Sequence, residues 1–253
     1  MNPIRSTDLP FEPCPQEIKL QDVCLSIEGK TILNNLSLET KVSRLGVVGR
    51  NGSGKSTLSR VLSGLIEIRS GTLEVAGCNP FKDRKAALRN IGLLFQNPDH
   101  QIIFPTVIEE IMFGLRQLGQ SKKQAQQNAL ATLVAFGKEH WQNAHISTLS
   151  GGQKHLVCLM AIMAMKPNLI ILDEPFAGLD IPTKKQLQRY LSAFSGTLVH
   201  VSHDPSDLEG YEQLLWIDEG EVVAFGPAQE VLPTYLEEMH RIGDSDDISQ
   251  LAD

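Results

Sequence analysis

The sequence predicts an α/β fold: a mostly parallel sheet with helices on both faces, a small antiparallel β subdomain and an inserted α-helical subdomain. Three observations predict it. Apolar runs of strand length alternate with helical stretches, which is typical of a parallel sheet covered on both sides. A glycine-rich loop follows one of these runs and opens a helix. Strand signals fade over residues 105–150, where helix-forming residues take over.

The first elements along the chain belong to the antiparallel subdomain. Residues 18–25 and 31–38 read as two short strands around a turn at Glu28, Gly29 and Lys30. Residues 71–76 form a third strand candidate. Because strands joined by so short a turn run antiparallel, we expect a small antiparallel sheet beside the main core.

The main sheet is predicted from buried runs further along the chain. Residues 45–48 lead into the glycine-rich loop, and residues 56–66 show the apolar spacing of a helix. Helix formers dominate residues 121–136, the clearest helix of the inserted subdomain. The other runs of strand length are residues 91–95, 169–172, 197–201 and 214–217.

The two ends of the chain are predicted to lie outside the folded domain, which spans residues 16–242. Residues 1–15 contain four prolines and no continuous apolar segment, so they indicate a flexible arm and not a secretory signal. Residues 243–253 form a flexible acidic tail. Neither end is expected to carry chemistry.

Composition excludes several classes of function. A net charge of -7 argues against nucleic acid as a partner. The longest apolar run, residues 156–165, is about half as long as a membrane span. The chain is therefore expected in the cytoplasm. No C-x-x-C pair suggests zinc, and four separated cysteines are expected to be reduced thiols: Cys14, Cys24, Cys78 and Cys158.

Residues 49–56, GRNGSGKS, fit the pattern G-x-x-x-x-G-K-[ST] of a phosphate-binding loop. Its backbone N–H groups and the N-terminus of the following helix suit an anion. Lys55 is expected to reach the β- and γ-phosphates of ATP, and the Ser56 hydroxyl to ligate Mg²⁺. The predicted ATP-binding residues here are Gly49, Asn51, Gly52, Ser53, Gly54, Lys55, Ser56 and Thr57.

Two adjacent carboxylates end the buried run at residues 169–172. Asp173 and Glu174 lie where parallel sheets place their ligand sites. Asp173 is expected to hold Mg²⁺ and its water shell, and Glu174 to orient and polarise the attacking water as a general base. An apolar run followed by Asp-Glu is weak evidence alone. Downstream of a phosphate-binding loop, it indicates an ATPase.

Residues 149–153, LSGGQ, precede an apolar helix that begins near Lys154. Glycine amides and the Ser150 hydroxyl at a helix N-terminus make a second candidate anion site in the same chain. Ser150 can also be read as a plain helix cap, and this alternative stays open.

The order of these motifs resembles the ATP-binding subunits of ABC transporters over residues 18–227. The resemblance implies a P-loop NTPase core of the RecA-like type. In that family Gln96 matches the glutamine that contacts Mg²⁺ and links the site to a membrane partner. Asp180 matches the aspartate of the D-loop, and His203 the switch histidine on the γ-phosphate. The catalytic residues so implied are Lys55, Gln96, Glu174 and His203.

The resemblance also implies a dimer. Ser150, Gly152 and Gln153 of one subunit would complete the phosphate-binding loop of the other, enclosing two ATP molecules. Because the motif set in this chain is complete, a homodimer is expected; a heterodimer with a paralogue is the alternative. One family feature is missing. Ile27 stands where an aromatic residue usually stacks on adenine, so we expect the base to be held less firmly.

Residues 95–114 are similar to the ATPases of energy-coupling-factor (ECF) importers, which take up vitamins or transition-metal ions. The mix of Asp99, Gln101, Ile103 and Phe104 suits a groove for helices of a membrane protein, although these residues could simply pack the helical subdomain. The implied partners are a transmembrane coupling (T-type) protein and a substrate-binding (S-type) membrane protein, at the cytoplasmic face of the cell membrane. Within the group, the pattern is most similar to ATPases of biotin importers. Cobalt or nickel importers, and a soluble non-transport ABC ATPase, are the alternatives.

Overall fold

The main sheet has six strands in the computed structural model, which describes residues 14–245. Five strands are parallel, and the edge strand β9 is antiparallel. Their spatial order is β5 (Ile91–Leu94), β6 (Leu169–Asp173), β7 (Thr197–Val201), β3 (Arg44–Val48), β8 (Gln213–Asp218) and β9 (Glu221–Pro227). The predicted α/β class with a mostly parallel sheet is confirmed, and the predicted apolar runs form its parallel strands.

A separate antiparallel sheet has the order β2-β1-β4, with β1 at Glu17–Ile27, β2 at Lys30–Lys41 and β4 at Ser70–Val75. The first two strands are longer than predicted. Each continues past an irregular residue with positive φ, Asp22 (51°) in β1 and Asn35 (51°) in β2. Both residues lie inside the predicted ranges, and bulges of this kind bend a strand without ending it. The extra length lies at the strand ends, where Glu17 pairs with Lys41 and Ile27 with Lys30.

The helices cover both faces of the main sheet. Their bounds are α1 Lys55–Leu62, α2 Arg84–Asn90, α3 Val107–Gln117, α4 Lys122–Ala135, α5 Gly151–Ala164, α6 Ile181–Ser192 and α7 Ala228–Ser245. Helix α1 ends before the predicted residue 66, because the chain turns at Gly64 with φ 76°. Helix α4 is the predicted helix at 121–136, and Ser121 caps it.

The ends of the chain fall largely outside the described residues. This holds for the predicted arm, residues 1–15, of which only the last two are described, and for the acidic tail beyond Ser245. Residues 243–245 form the end of α7. In the part of the chain from 14 to 245, no helix combines the length and apolarity needed to cross a membrane. Within residues 14–245, the four cysteines are not joined in disulfides.

Three apolar clusters hold these layers together. One lies between the antiparallel sheet, α1 and the main sheet. A second joins α3, α4, α5 and α6 to the opposite face of the main sheet. A third, which includes Val48, Trp216 and Tyr235, packs α7 against the end of the sheet that carries β3 and β8. The two larger clusters therefore fix the sheet between the β subdomain and the helical subdomain.

His200 is a polar residue in the middle of this packing. Its Nδ1 atom lies 2.9 Å from the Tyr211 hydroxyl, and its ring meets Phe176 edge to face at 5.3 Å. Burial, with a smaller contribution from the positive charge of Lys184, lowers the pKa of His200 to about 3. The imidazole is therefore neutral in the folded protein at neutral pH.

We expect His200 to make the protein less stable in mild acid. In the unfolded chain its pKa is about 6.5, so below that pH the unfolded state takes up a proton that the folded state does not. Between pH 7 and pH 5 this group alone lowers the free energy of unfolding by about 2 kcal/mol. Urea denaturation at both pH values should show a pH dependence smaller by that amount in His200→Leu. Equal losses in the two proteins would contradict the assignment.

Candidate functional site

The phosphate-binding loop lies between β3 and α1, with Gly54 at the helix N-cap. Lys55 is buried, and its Nζ atom donates hydrogen bonds to the carbonyl oxygens of Gly49 (2.8 Å) and Arg50 (2.7 Å). Burial lowers the pKa of Lys55, while the carboxylates of Glu174 and Asp173 oppose this shift. The ammonium group is thus desolvated and held at the mouth of the loop, where it can meet an anion.

Two glycines of the loop have no room for a side chain. A Cβ atom on Gly49 would lie 2.1 Å from the carbonyl oxygen of Ile217 in β8. Gly54 has φ 102°, and a Cβ atom there would lie 2.9 Å from the carbonyl oxygen of Ile32. The turn between β8 and β9 also supports the loop, since the Gly220 N–H donates to the Ser53 carbonyl at 3.0 Å. No sequence signal had indicated that last contact.

Asp173 and Ser56 form the oxygen-rich part of the site. The Ser56 hydroxyl donates to Oδ1 of Asp173 at 3.0 Å, joining the start of α1 to the end of β6. Burial raises the pKa of Asp173, and the Ser56 hydrogen bond works in the opposite direction. A hydroxyl and a carboxylate oxygen beside a phosphate-binding loop are ligands that Mg²⁺ accepts. The residues present therefore fit the predicted Mg²⁺ site.

Glu174 has a left-handed backbone, with φ 50°. For a residue other than glycine this conformation costs about 1–3 kcal/mol, and the Glu174 N–H supports it by donating to the Val201 carbonyl at 3.0 Å. The Oε2 atom of Glu174 lies 3.0 Å from Gln96 Nε2 and 3.2 Å from His203 Nδ1. Gln96, Glu174 and His203, which follow β5, β6 and β7, thus meet at the Glu174 carboxylate.

The backbone of Gln96 is held by a residue that the sequence did not single out. His155 Nε2 lies 3.0 Å from the Gln96 carbonyl oxygen and donates to it, because a carbonyl can only accept; burial lowers the pKa of His155. Lys154 pairs with Asp99 at 2.7 Å. Glu110 accepts the N–H groups of Ile103 and Phe104, at 2.9 Å each. Helices α3 and α5 therefore fix the segment that follows Gln96.

The LSGGQ segment and Asp180 lie at two neighbouring helix N-termini. Ser150 caps α5 in a capping box with Gln153, so the alternative of a helix cap is correct for its local role. A Cβ atom on Gly152 would lie 2.5 Å from Thr183 Cγ2, which explains glycine there. Asp180 caps α6 and accepts from the Thr183 N–H at 2.9 Å. Each of these capping hydrogen bonds is local, within the first turn of α5 or of α6.

A sequence model of the ABC transporter family matches residues 33–177, which is more than half of the chain. The match contains the phosphate-binding loop, Gln96, the LSGGQ segment and the Asp173-Glu174 pair. The chain belongs to the ABC transporter family. This ABC ATPase binds ATP and hydrolyses it to ADP and phosphate, and the predicted resemblance to the family is confirmed.

Full-length relatives support the same assignment. The biotin transport ATP-binding protein BioM of Rhodobacter capsulatus is 44% identical over 227 residues, covering 90% of this chain and 97% of that protein. BioM of Rhizobium etli is 32% identical over 87% of this chain and 98% of that protein. Among solved structures, CbiO1 from Clostridium perfringens, part of the ABC transporter complex CbiONQ, has a TM-score of 0.72 and 25% identity, covering 92% of this ABC ATPase and 96% of CbiO1.

Proposed function

We propose that this ABC ATPase powers an ECF-type importer from the cytoplasmic face of the cell membrane, with biotin as the favoured cargo. The observation that supports biotin as the cargo is the 44% identity to a biotin transport ATP-binding protein over nearly the whole length of both chains. The likeness to CbiO1, part of an ABC transporter complex, supports an importer with membrane partners. The proposed partners are a T-type coupling protein, an S-type substrate-binding protein and a second copy of this chain.

The proposed reaction is attack of water on the γ-phosphorus of ATP, with ADP as the leaving group. Lys55 contacts the β- and γ-phosphates, exchanging its bonds to the loop carbonyls for bonds to phosphate oxygens. Ser56 and Asp173 hold Mg²⁺, which when bound offsets the charge that develops on the phosphate oxygens. The loop amides from Gly49 to Thr57 complete the cradle.

Glu174 orients the water and accepts its proton. Its carboxylate is largely enclosed, with 15% of the side chain exposed; it accepts a hydrogen bond from Gln96 Nε2 and lies 3.2 Å from His203 Nδ1. His203 is 56% exposed and stabilises charge on the γ-phosphate. Gln96 connects this carboxylate to the segment at residues 97–104. We expect the ATPase site and residues 97–104, the segment proposed to meet the membrane partner, to change conformation together.

Ser150, Gly152, Gln153 and Asp180 are proposed to act on the ATP of the partner subunit. Their support is their placement together at the adjacent N-termini of α5 and α6, where a Cβ atom on Gly152 would lie 2.5 Å from Thr183 Cγ2. Ile181, next to Asp180, leaves 72% of its side chain exposed and suits burial between two copies. A head-to-tail pair is the arrangement that uses both anion sites.

The surface proposed to meet the coupling protein is centred on Ile103, whose side chain is 67% exposed. Glu110 holds the backbone of this segment independently of the Ile103 side chain. We therefore expect Ile103→Asp to fold, hydrolyse ATP as the isolated protein and lose its membrane partner. The matched control is Val134→Asp in α4, also exposed at 58%, which should keep the partner.

The experiment that tests the proposal is purification of the tagged chain from its native membranes in mild detergent, followed by identification of what accompanies it. A small coupling protein, together with a membrane protein that retains biotin, supports the proposal. If the membrane protein retains cobalt or nickel ions, the cargo is a metal ion and not biotin, and the importer assignment stands. Recovery with DNA or ribosomes overturns the transport assignment in favour of a soluble ABC ATPase, and a second, different ATPase in equal amount replaces the homodimer by a heterodimer.

A further inference from the structure

One ionic cluster next to the site has no part in the reaction described above. Lys184, in the first turn of α6, places its Nζ atom 2.5 Å from Oδ1 of Asp207 and 3.3 Å from Oδ2 of Asp204. Asp207 is the buried partner, since only 6% of its side chain is exposed. The contact that the Lys184 ammonium group makes with the Asp207 carboxylate is the main cause that raises the pKa of Lys184, so the ammonium form is retained at neutral pH.

The residues immediately before and after His203 in the sequence both belong to this cluster. Ser202, the residue before His203, places its hydroxyl 3.1 Å from the Asp204 carbonyl oxygen and 3.3 Å from Oδ2 of Asp207, and accepts the Asp204 N–H at 3.0 Å. The carboxylates of Asp204 and Asp207, which follow His203, both form ion pairs with Lys184. The loop between β7 and the 3-10 turn at Pro205–Leu208 is thus tied to α6 at one cation.

Lys184 also lies beside the segment that follows Glu174. Its Nζ atom is 5.8 Å from the centre of the Phe176 ring, on the face of that side chain. Phe176 is buried and comes two residues after Glu174. The same cation therefore meets both chain segments whose side chains form the 3.2 Å contact between His203 and Glu174.

We infer that Lys184 is a positioning residue for ATP hydrolysis: its ammonium group fixes the loop that holds His203 against Glu174. The inference rests on the proposed role of His203 at the γ-phosphate. Lys184 makes no contact with the phosphate-binding loop among the described residues, so its effect belongs to the chemical step and not to ATP binding. Lys184 lies one turn of α6 after Asp180, and its N–H donates to the Asp180 carbonyl. Helix α6 thus links the proposed subunit contact at Asp180 to the loop that carries His203.

Lys184→Met keeps the length of the side chain and removes the charge. We expect kcat for ATP to fall by about tenfold to 100-fold, the loss that a small displacement of a reacting group produces, with KM unchanged. This variant also leaves Asp207 as an unpaired buried charge, so it loses stability as well. Activity of the single variant therefore does not separate positioning from folding.

The double variant Lys184→Met/Asp207→Asn separates them. Removing both charges relieves the unpaired carboxylate, so we expect the melting temperature to return toward that of the wild type while kcat stays low. If kcat recovers together with stability, the pair is only structural and the inference is overturned. Lys185→Met, the exposed neighbour on the same helix, is the control and should match the wild type in both measurements.

His203→Ala distinguishes failure of this inference from failure of the proposed function. A loss of kcat in His203→Ala with full activity in the double variant rejects the role of Lys184 and keeps the role of His203. Full activity in His203→Ala rejects the proposed role of the histidine itself. A loss of kcat in both, with KM unchanged, is the expected result.

Discussion

Glu174→Gln is expected to lower kcat for ATP by about 10²- to 10⁴-fold, the contribution of a positioned general base. The amide keeps the size of the carboxylate and can still accept the hydrogen bond from Gln96 Nε2, now 3.0 Å from Oε2. It cannot take a proton from water at neutral pH. Steady-state release of phosphate by the purified protein measures the change.

Binding of ATP should survive in the same variant, because Glu174 lies at the end of β6 and not in the phosphate-binding loop. We therefore expect Glu174→Gln to accumulate as a closed dimer with ATP, seen as a doubled mass by size-exclusion chromatography with light scattering. Glu67→Gln, on an exposed residue outside the phosphate-binding loop, is the control for loss of one negative charge. Turnover by Glu174→Gln at the rate of the wild type would reject the assignment of the base.

Lys55→Ala is expected to weaken ATP binding by about 30-fold to several thousandfold. Loss of one partner from a desolvated, hydrogen-bonded charge pair costs about 2–5 kcal/mol, and each 1.4 kcal/mol is tenfold in affinity. Lys55 is buried and hydrogen-bonded to two loop carbonyls, and the phosphates of ATP are its proposed charged partner. Isothermal titration with ATP and Mg²⁺ measures the dissociation constant.

Folding has to be checked in this variant, since Gly49 and Arg50 each lose a hydrogen bond to their carbonyl oxygens. Melting temperatures in the absence of nucleotide serve that purpose. Lys123→Ala, on the exposed face of α4, removes a lysine elsewhere and should bind ATP as the wild type does. An unchanged dissociation constant for a folded Lys55→Ala protein would contradict the phosphate-loop assignment.

Much of the fold could be predicted because short apolar runs and a glycine-rich loop are local signals. The parallel strands, helix α4 and the antiparallel hairpin all appear where the pattern placed them. The extents were less accurate at β1 and β2, which run beyond both predicted limits, and the bulges at Asp22 and Asn35 within them were not predicted. A bulge depends on the pairing of the strand with its neighbours, and a single segment does not contain that information.

The sequence by itself determined the chemical inventory of the site. Lys55, Ser56, Asp173 and Glu174 were predicted from motifs, because phosphate and Mg²⁺ chemistry restricts both residue type and spacing, whereas Gln96 and His203 were implied by the family resemblance. Only the tertiary structure decided what holds those groups in place. His155 on the Gln96 carbonyl and Lys184 on Asp207 join residues 59 and 23 positions apart, through helices that meet only when the core is packed. Such contacts depend on the directions of side chains across a packed interface, and no local spacing specifies them.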